Sequence, residues 1–116
     1  MRHRKRKVTL DRQSAPRRAL LRGLAEQVIL WERVQTTLAK AKAVRPLVER
    51  LVSRAKEATL ANRRYLLSAL YTRGAVNKLL EVLGPRYRAR PGGYTRLTLV
   101  GERRGDGSKI AVIEFV

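Results

Sequence analysis

The chain has no cysteine and one histidine, His3, which removes thiolate nucleophiles, disulfides, cysteine-ligated zinc and His-rich metal sites from its chemistry. Its carboxylates are Asp11, Glu26, Glu32, Glu49, Glu57, Glu81, Glu102, Asp106 and Glu114. They are scattered, with no D-x-D, H-E-x-x-H or G-x-S-x-G arrangement to couple an acid with a base or nucleophile. His3 lies in a basic stretch where nothing rigid can aim it. Gly105-Asp106-Gly107 makes a better turn than half of a magnesium site with Glu114. Gly92-Gly93 lacks the G-x-x-x-x-G-K-[ST] frame, and no helix directly follows 101–107, so neither run is expected to cradle a nucleotide. No enzyme activity, metal or other cofactor is expected.

What the chain has in quantity is positive charge. Its 116 residues carry 27 basic residues, 20 Arg and 7 Lys, against 9 Asp+Glu, for a net charge of +18. Such a body repels itself until a polyanion neutralises it. The planar guanidinium forks onto phosphate and stacks on bases, which favours nucleic acid over a membrane surface or an acidic metabolite. No apolar run approaches the roughly 20 residues of a bilayer span, and no apolar core follows the basic start as in a secretory signal. The expectation is a cytosolic protein with no membrane anchor.

The cations fall into groups. Arg2, His3, Arg4, Lys5, Arg6 and Lys7 belong to an extended basic arm, residues 1–13, that also holds Arg12 and orders on RNA. Arg17, Arg18 and Arg22 begin the first helix of a single domain, residues 14–116. Arg33, Lys40, Lys42 and Arg45 fit either solvated helix surface or RNA contact. Arg86, Arg88, Arg90 and Arg96 surround Pro91-Gly92-Gly93 together with Tyr87 and Tyr94, an aromatic-with-basic pattern able to stack exposed bases or reach phosphates. Arg103 and Arg104 lie in a later glycine-containing loop.

Periodicity supplies the elements. Ser14 can cap a helix with Pro16 in its first turn, and Ala19, Leu20, Leu24, Val28 and Ile29 follow at helical spacing, with Trp31 expected to pack at its end. Val34 and its β-branched neighbours suggest a short strand, and Thr37 a helix cap. The stripe Ala41, Val44, Val48, Leu51, Val52 and Ala55 predicts a helix from about Leu38 to Ala58, bent or split near Ala43 by Pro46. Two shorter helices, about 60–71 and 73–83, follow, the first with at least one of Tyr65 and Tyr71 in the core. The second ends at Gly84-Pro85. Stretches 94–100 and 109–116 change to strand composition and predict a hairpin. The fold class is α+β, one domain.

Taken in order, Met1-Arg2-His3-Arg4-Lys5, Leu10, Arg12, Arg17, Ala19, Leu20, Arg22, Leu24, Ala25, Thr36-Thr37-Leu38-Ala39-Lys40-Ala41-Lys42, Gly84-Pro85-Arg86-Tyr87, Arg90, Gly92-Gly93-Tyr94-Thr95-Arg96, Arg104-Gly105-Asp106, Ala111 and Ile113-Glu114 give a specific pattern. The chain resembles the family of the seventeenth protein of the bacterial large ribosomal subunit over essentially its whole length. The resemblance implies a two-layer α/β fold in the order helix, strand, three helices, two strands, with the Val34 strand joining the hairpin in one sheet. It also implies a structural protein that binds large-subunit ribosomal RNA on the solvent side near the polypeptide exit region, beside neighbouring large-subunit ribosomal proteins. Arg6-Lys7-Val8-Thr9 departs from the family's Ser-Gly and basic residues, Asp11 from Asn, Pro16 from His, Ala43 from Glu, and Lys109-Ile110 from Pro-Met. Two rivals remain by charge alone: a DNA-compacting protein and, with no preorganised acid, base or nucleophile pair to support it, an RNA-processing factor.

Overall fold

The computed structural model describes residues 8–116. Helix α1 (Ser14–Trp31) starts one residue earlier than the cap expected there: Gln13 is the N-cap, without a side-chain bond, and Ser14 lies inside the first turn. Pro16 also sits in that turn, where a missing N–H leaves nothing unpaired. Ala25, Val28 and Ile29 form the buried stripe. Trp31 does not pack; it is 70% exposed. The reason is its angular position, one turn past Gln27 on the solvent face, where its indole N–H donates to the Gln27 Oε1 at 2.9 Å.

The helix ends at Glu32, which takes the left-handed conformation (φ 61°) usually given to glycine. Strand β1 (Arg33–Thr37) follows, and the Thr37 hydroxyl accepts the Lys40 N–H at 3.4 Å to cap α2 (Leu38–Ala55). The buried face of α2 is the predicted stripe, Ala41, Val44, Val48, Leu51, Val52 and Ala55. Pro46 does not split it. The proline lies exposed on the outer side, so the Lys42 carbonyl it cannot satisfy is on the solvated face.

Helix α3 (Leu60–Ala69) is capped by Thr59 and α4 (Arg73–Lys78) by Thr72. The chain then widens into a π-helical turn, Leu79–Leu83, and closes in α5 (Gly84–Arg86) instead of stopping at Gly84. Two features explain this. Pro85 has no N–H to continue the ordinary ladder, and the Gly84 N–H bonds back five residues to the Leu79 carbonyl. Gly84 is needed for closeness rather than for a left-handed cap: a Cβ there would overlap the Ala55 carbonyl and stand 3.0 Å from the Leu79 oxygen.

Strands β2 (Thr95–Glu102) and β3 (Lys109–Phe115) pair with β1 in an antiparallel sheet of order β1-β3-β2. The register sets Gln35 and Thr98 on either side of Val112, and Arg33 and Arg96 on either side of Glu114. Val34, Leu97, Ala111, Ile113 and Phe115 face α2, which lies between the sheet and the other helices. The fold is therefore α+β, with the Val34 strand in the same sheet as the C-terminal hairpin. Among the described residues, no helix is long and apolar enough to cross a membrane.

Candidate nucleic-acid interface

The described chain begins with a reversal. Arg12 N–H bonds to the Thr9 carbonyl at 3.1 Å, closing a tight turn whose central residues, Leu10 and Asp11, both have φ 53°. Two successive left-handed non-glycine residues cost about 1–3 kcal/mol each and persist only where surrounding contacts hold them. Here the Arg12 guanidinium bonds the Leu10 carbonyl at 2.9 Å, and Arg17, only 8% exposed, reaches the Arg12 carbonyl at 3.5 Å. Arg17 thus secures the turn from inside and is not offered to a ligand, contrary to its expected phosphate role.

This turn forms one wall of an open cleft of about 800 Å³. The start of α2 lines it with Lys40 and Lys42, the β2–β3 loop with Arg103, and the first residue of β3 with Lys109. Asp11 is its single acidic residue. Arg12, Lys40, Lys42 and Lys109 have no ion-pair partner among the described residues. The cleft also faces the positive end of an eighteen-residue helix dipole. Arg103 is different: Asp106 pairs with it and takes the Ser108 N–H at 3.0 Å, which stiffens the loop. The Arg103 guanidinium, with the Ser108 bonds behind it, holds the Asp106 carboxyl far below its usual range. Sequence reasoning separated Arg12, Lys40, Lys42 and Arg103 into three groups, and the fold brings them together. It missed Lys109, whose signal was its place at the head of a strand directly after a basic loop.

Arg2, His3, Arg4, Lys5, Arg6 and Lys7 lie outside the described residues. Arg18 is exposed and Arg22 partly so on α1. Arg88, Arg90 and Arg104 are exposed, with the Arg90 side chain bonded to the Gly92 carbonyl at 3.1 Å.

Around the Gly92-Gly93 turn the expectation fails in part. Tyr87 and Tyr94 are 4% and 2% exposed, so neither presents a face for base stacking. They pack together with ring centroids 5.3 Å apart, and Tyr87 also meets Phe115 at 6.0 Å. Their hydroxyls have internal partners, the Val116 carbonyl for Tyr87 and Ser53 at 3.2 Å for Tyr94. Burial pushes the Tyr94 phenol up, but hydrogen bonding from Lys56 and Ser53 and the Lys56 charge outweigh it and leave the pKa lowered. Arg86 and Arg96 are ion-paired within the fold. Arg86 and Lys78 share Glu32, the latter at 3.1 Å, and Arg96 and Arg33 share Glu114 at 3.1 and 4.0 Å. The Arg86 bond, against a burial penalty, holds Glu32 below its ordinary pKa, and Glu32 in turn raises that of Arg86.

Comparison with known proteins shows the family. Residues 20–116 match the family model described as Ribosomal protein L17. The whole chain is 51% identical to the large ribosomal subunit protein bL17 of Thermomicrobium roseum, covering 99% of that relative. It is 49% identical to the protein of the same name from Solibacter usitatus, covering 77% of it, and 46% identical to that of a Hydrogenobaculum species, covering 99%.

Proposed function

The chain belongs to the ribosomal protein L17 family, a structural and non-enzymatic component of the large ribosomal subunit, and from that premise we propose that it stabilises folded large-subunit ribosomal RNA by seating phosphates in the cleft at the start of α2. The observation that carries this is the convergence of Arg12, Lys40, Lys42 and Lys109 on one open cleft with a single carboxylate in its wall. Unpartnered cations released from mutual repulsion by phosphate give affinity through counterion release. Discrimination comes from shape, since A-form RNA hides its base edges in a deep, narrow groove.

The proposal includes the basic arm, residues 1–13, whose Arg2, His3, Arg4, Lys5, Arg6 and Lys7 add phosphate contacts between RNA helices while residues 14–116 dock as one domain. Arg18, Arg22, Arg88, Arg90 and Arg104 serve as further phosphate contacts. The exit-region surroundings and neighbouring ribosomal proteins belong to the same proposal, as does work in the cytoplasm within the subunit.

Equilibrium competition tests it, with nuclease-treated protein offered intact large-subunit ribosomal RNA or length-matched duplex DNA at one moderate salt concentration. The expected preference for the RNA is at least about tenfold, worth about 1.4 kcal/mol. Equal affinity would favour general polyanion binding and overturn shape-specific docking.

A further inference from the structure

A second groove, about 210 Å³, lies where the first turns of α1 meet the link between α3 and α4, lined by Ala15, Arg18, Ala19, Arg22 and Tyr71. Ala15 and Ala19 leave its floor low, since each carries only a methyl group. The Tyr71 ring is 57% exposed. Arg18 and Arg22 have no acidic partner among the described residues. The Arg22 guanidinium lies over the ring at 5.8 Å from its centroid, near the outer limit of a cation–π contact, so the attraction holding it there is weak.

The backbone around this ring is pinned. Leu70, 5% exposed, anchors one side, and on the other the Thr72 N–H donates to the Glu26 carboxylate at 2.6 Å. Glu26 is only 8% exposed and makes no ion pair among the described residues. A buried carboxylate is thus spent on holding the turn that presents Tyr71. The other aromatic beside arginines, Tyr65, is half-buried, already has Arg54 at 4.3 Å, and shares its groove with Glu57. Among the described residues, only at Tyr71 do an exposed, held ring and two guanidinium groups without an acidic partner coincide.

We propose that this groove receives one unpaired nucleotide of RNA, its base stacked on Tyr71 and its phosphate on Arg18 and Arg22. The proposal rests on the RNA-binding function above and adds to it a contact that reads single-strandedness, because a base held in a duplex cannot offer its face. It also restores an aromatic contact to an interface from which Tyr87 and Tyr94 are withdrawn.

The test uses the full chain and its Tyr71→Leu and Tyr71→Phe variants in competition for intact large-subunit ribosomal RNA at several salt concentrations, with ultraviolet cross-linking of the wild-type complex. Tyr71→Leu should weaken binding roughly five- to a hundredfold, Tyr71→Phe less than about twofold, and both should keep the wild-type salt slope, since stacking releases no counterion. The cross-linked peptide should contain Tyr71. Circular dichroism melting of Tyr71→Leu is the control for the fold and should match the wild type. Wild-type affinity in Tyr71→Leu overturns the stacking site. If the Lys40→Gln/Lys42→Gln variant is then still weakened, the cleft stands without it. A wild-type chain with no preference for the ribosomal RNA over duplex DNA removes both proposals.

Discussion

The cleft at the head of α2 and the Gly92-Gly93 region are alike in composition, each basic and each beside glycine turns, yet they behave in opposite ways. At the cleft, cations from three distant segments meet with one acid among them. At the glycine turn, Arg86 and Arg96 meet acids supplied by Glu32 and Glu114, and the tyrosines between them are sealed in a joint with Ser53, Phe115 and Val116. A run of positive charge marks a ligand surface only where the fold leaves it unpaired.

The contrast can be broken most forcefully at the joint. Tyr94→Ala removes a ring that bridges α2 and the sheet and should cost about 3–5 kcal/mol in denaturant unfolding, the range for deleting a large buried side chain. A variant losing under about 1 kcal/mol would mean that the ring is a surface group after all. Gly84→Ala should cost about 1–3 kcal/mol, because the added methyl forces apart two backbones in contact. Equal or greater stability there would argue that α5 shifts freely from α2.

Smaller effects sharpen the picture. Glu32→Gln removes the charge that Arg86 and Lys78 share, for an expected loss of about 1–2 kcal/mol at pH 7 after allowing for solvent screening. Because folding lowers the Glu32 pKa from 4.5, its contribution is present above that value and fades as the pH falls through the lower folded pKa. The stability gap between wild type and Glu32→Gln should therefore narrow progressively below about pH 4.5. A gap that stays constant down to pH 2 contradicts an ionised pair.

These particulars also show what was legible beforehand. The buried stripe of α2 and the cap at Thr37 depend on neighbours within a few residues, so periodicity and cap chemistry read them. The partners of Tyr94 and Tyr87 lie 41 and 29 residues away, so no local pattern distinguishes a sealed ring from a stacking one. Gly84-Pro85 resembled a helix stop because the close Ala55 backbone, far off in sequence, is what the glycine accommodates. The family resemblance named the architecture, whereas the assembly of Arg12, Lys40, Lys42, Arg103 and Lys109 into one cleft is a product of the three-dimensional fold.

The central claim is that the cleft, and not the joint, carries phosphate. Its most direct test is the salt dependence of affinity for large-subunit ribosomal RNA, comparing Lys40→Gln/Lys42→Gln with Arg86→Gln/Arg96→Gln. Losing two phosphate contacts should flatten the slope of log affinity against log salt by about 1.5 in the cleft variant, with unfolding stability kept within about 0.5 kcal/mol. The joint variant should lose stability and keep most of its slope. An unchanged slope in the cleft variant, or a larger loss in the joint variant, would contradict the account.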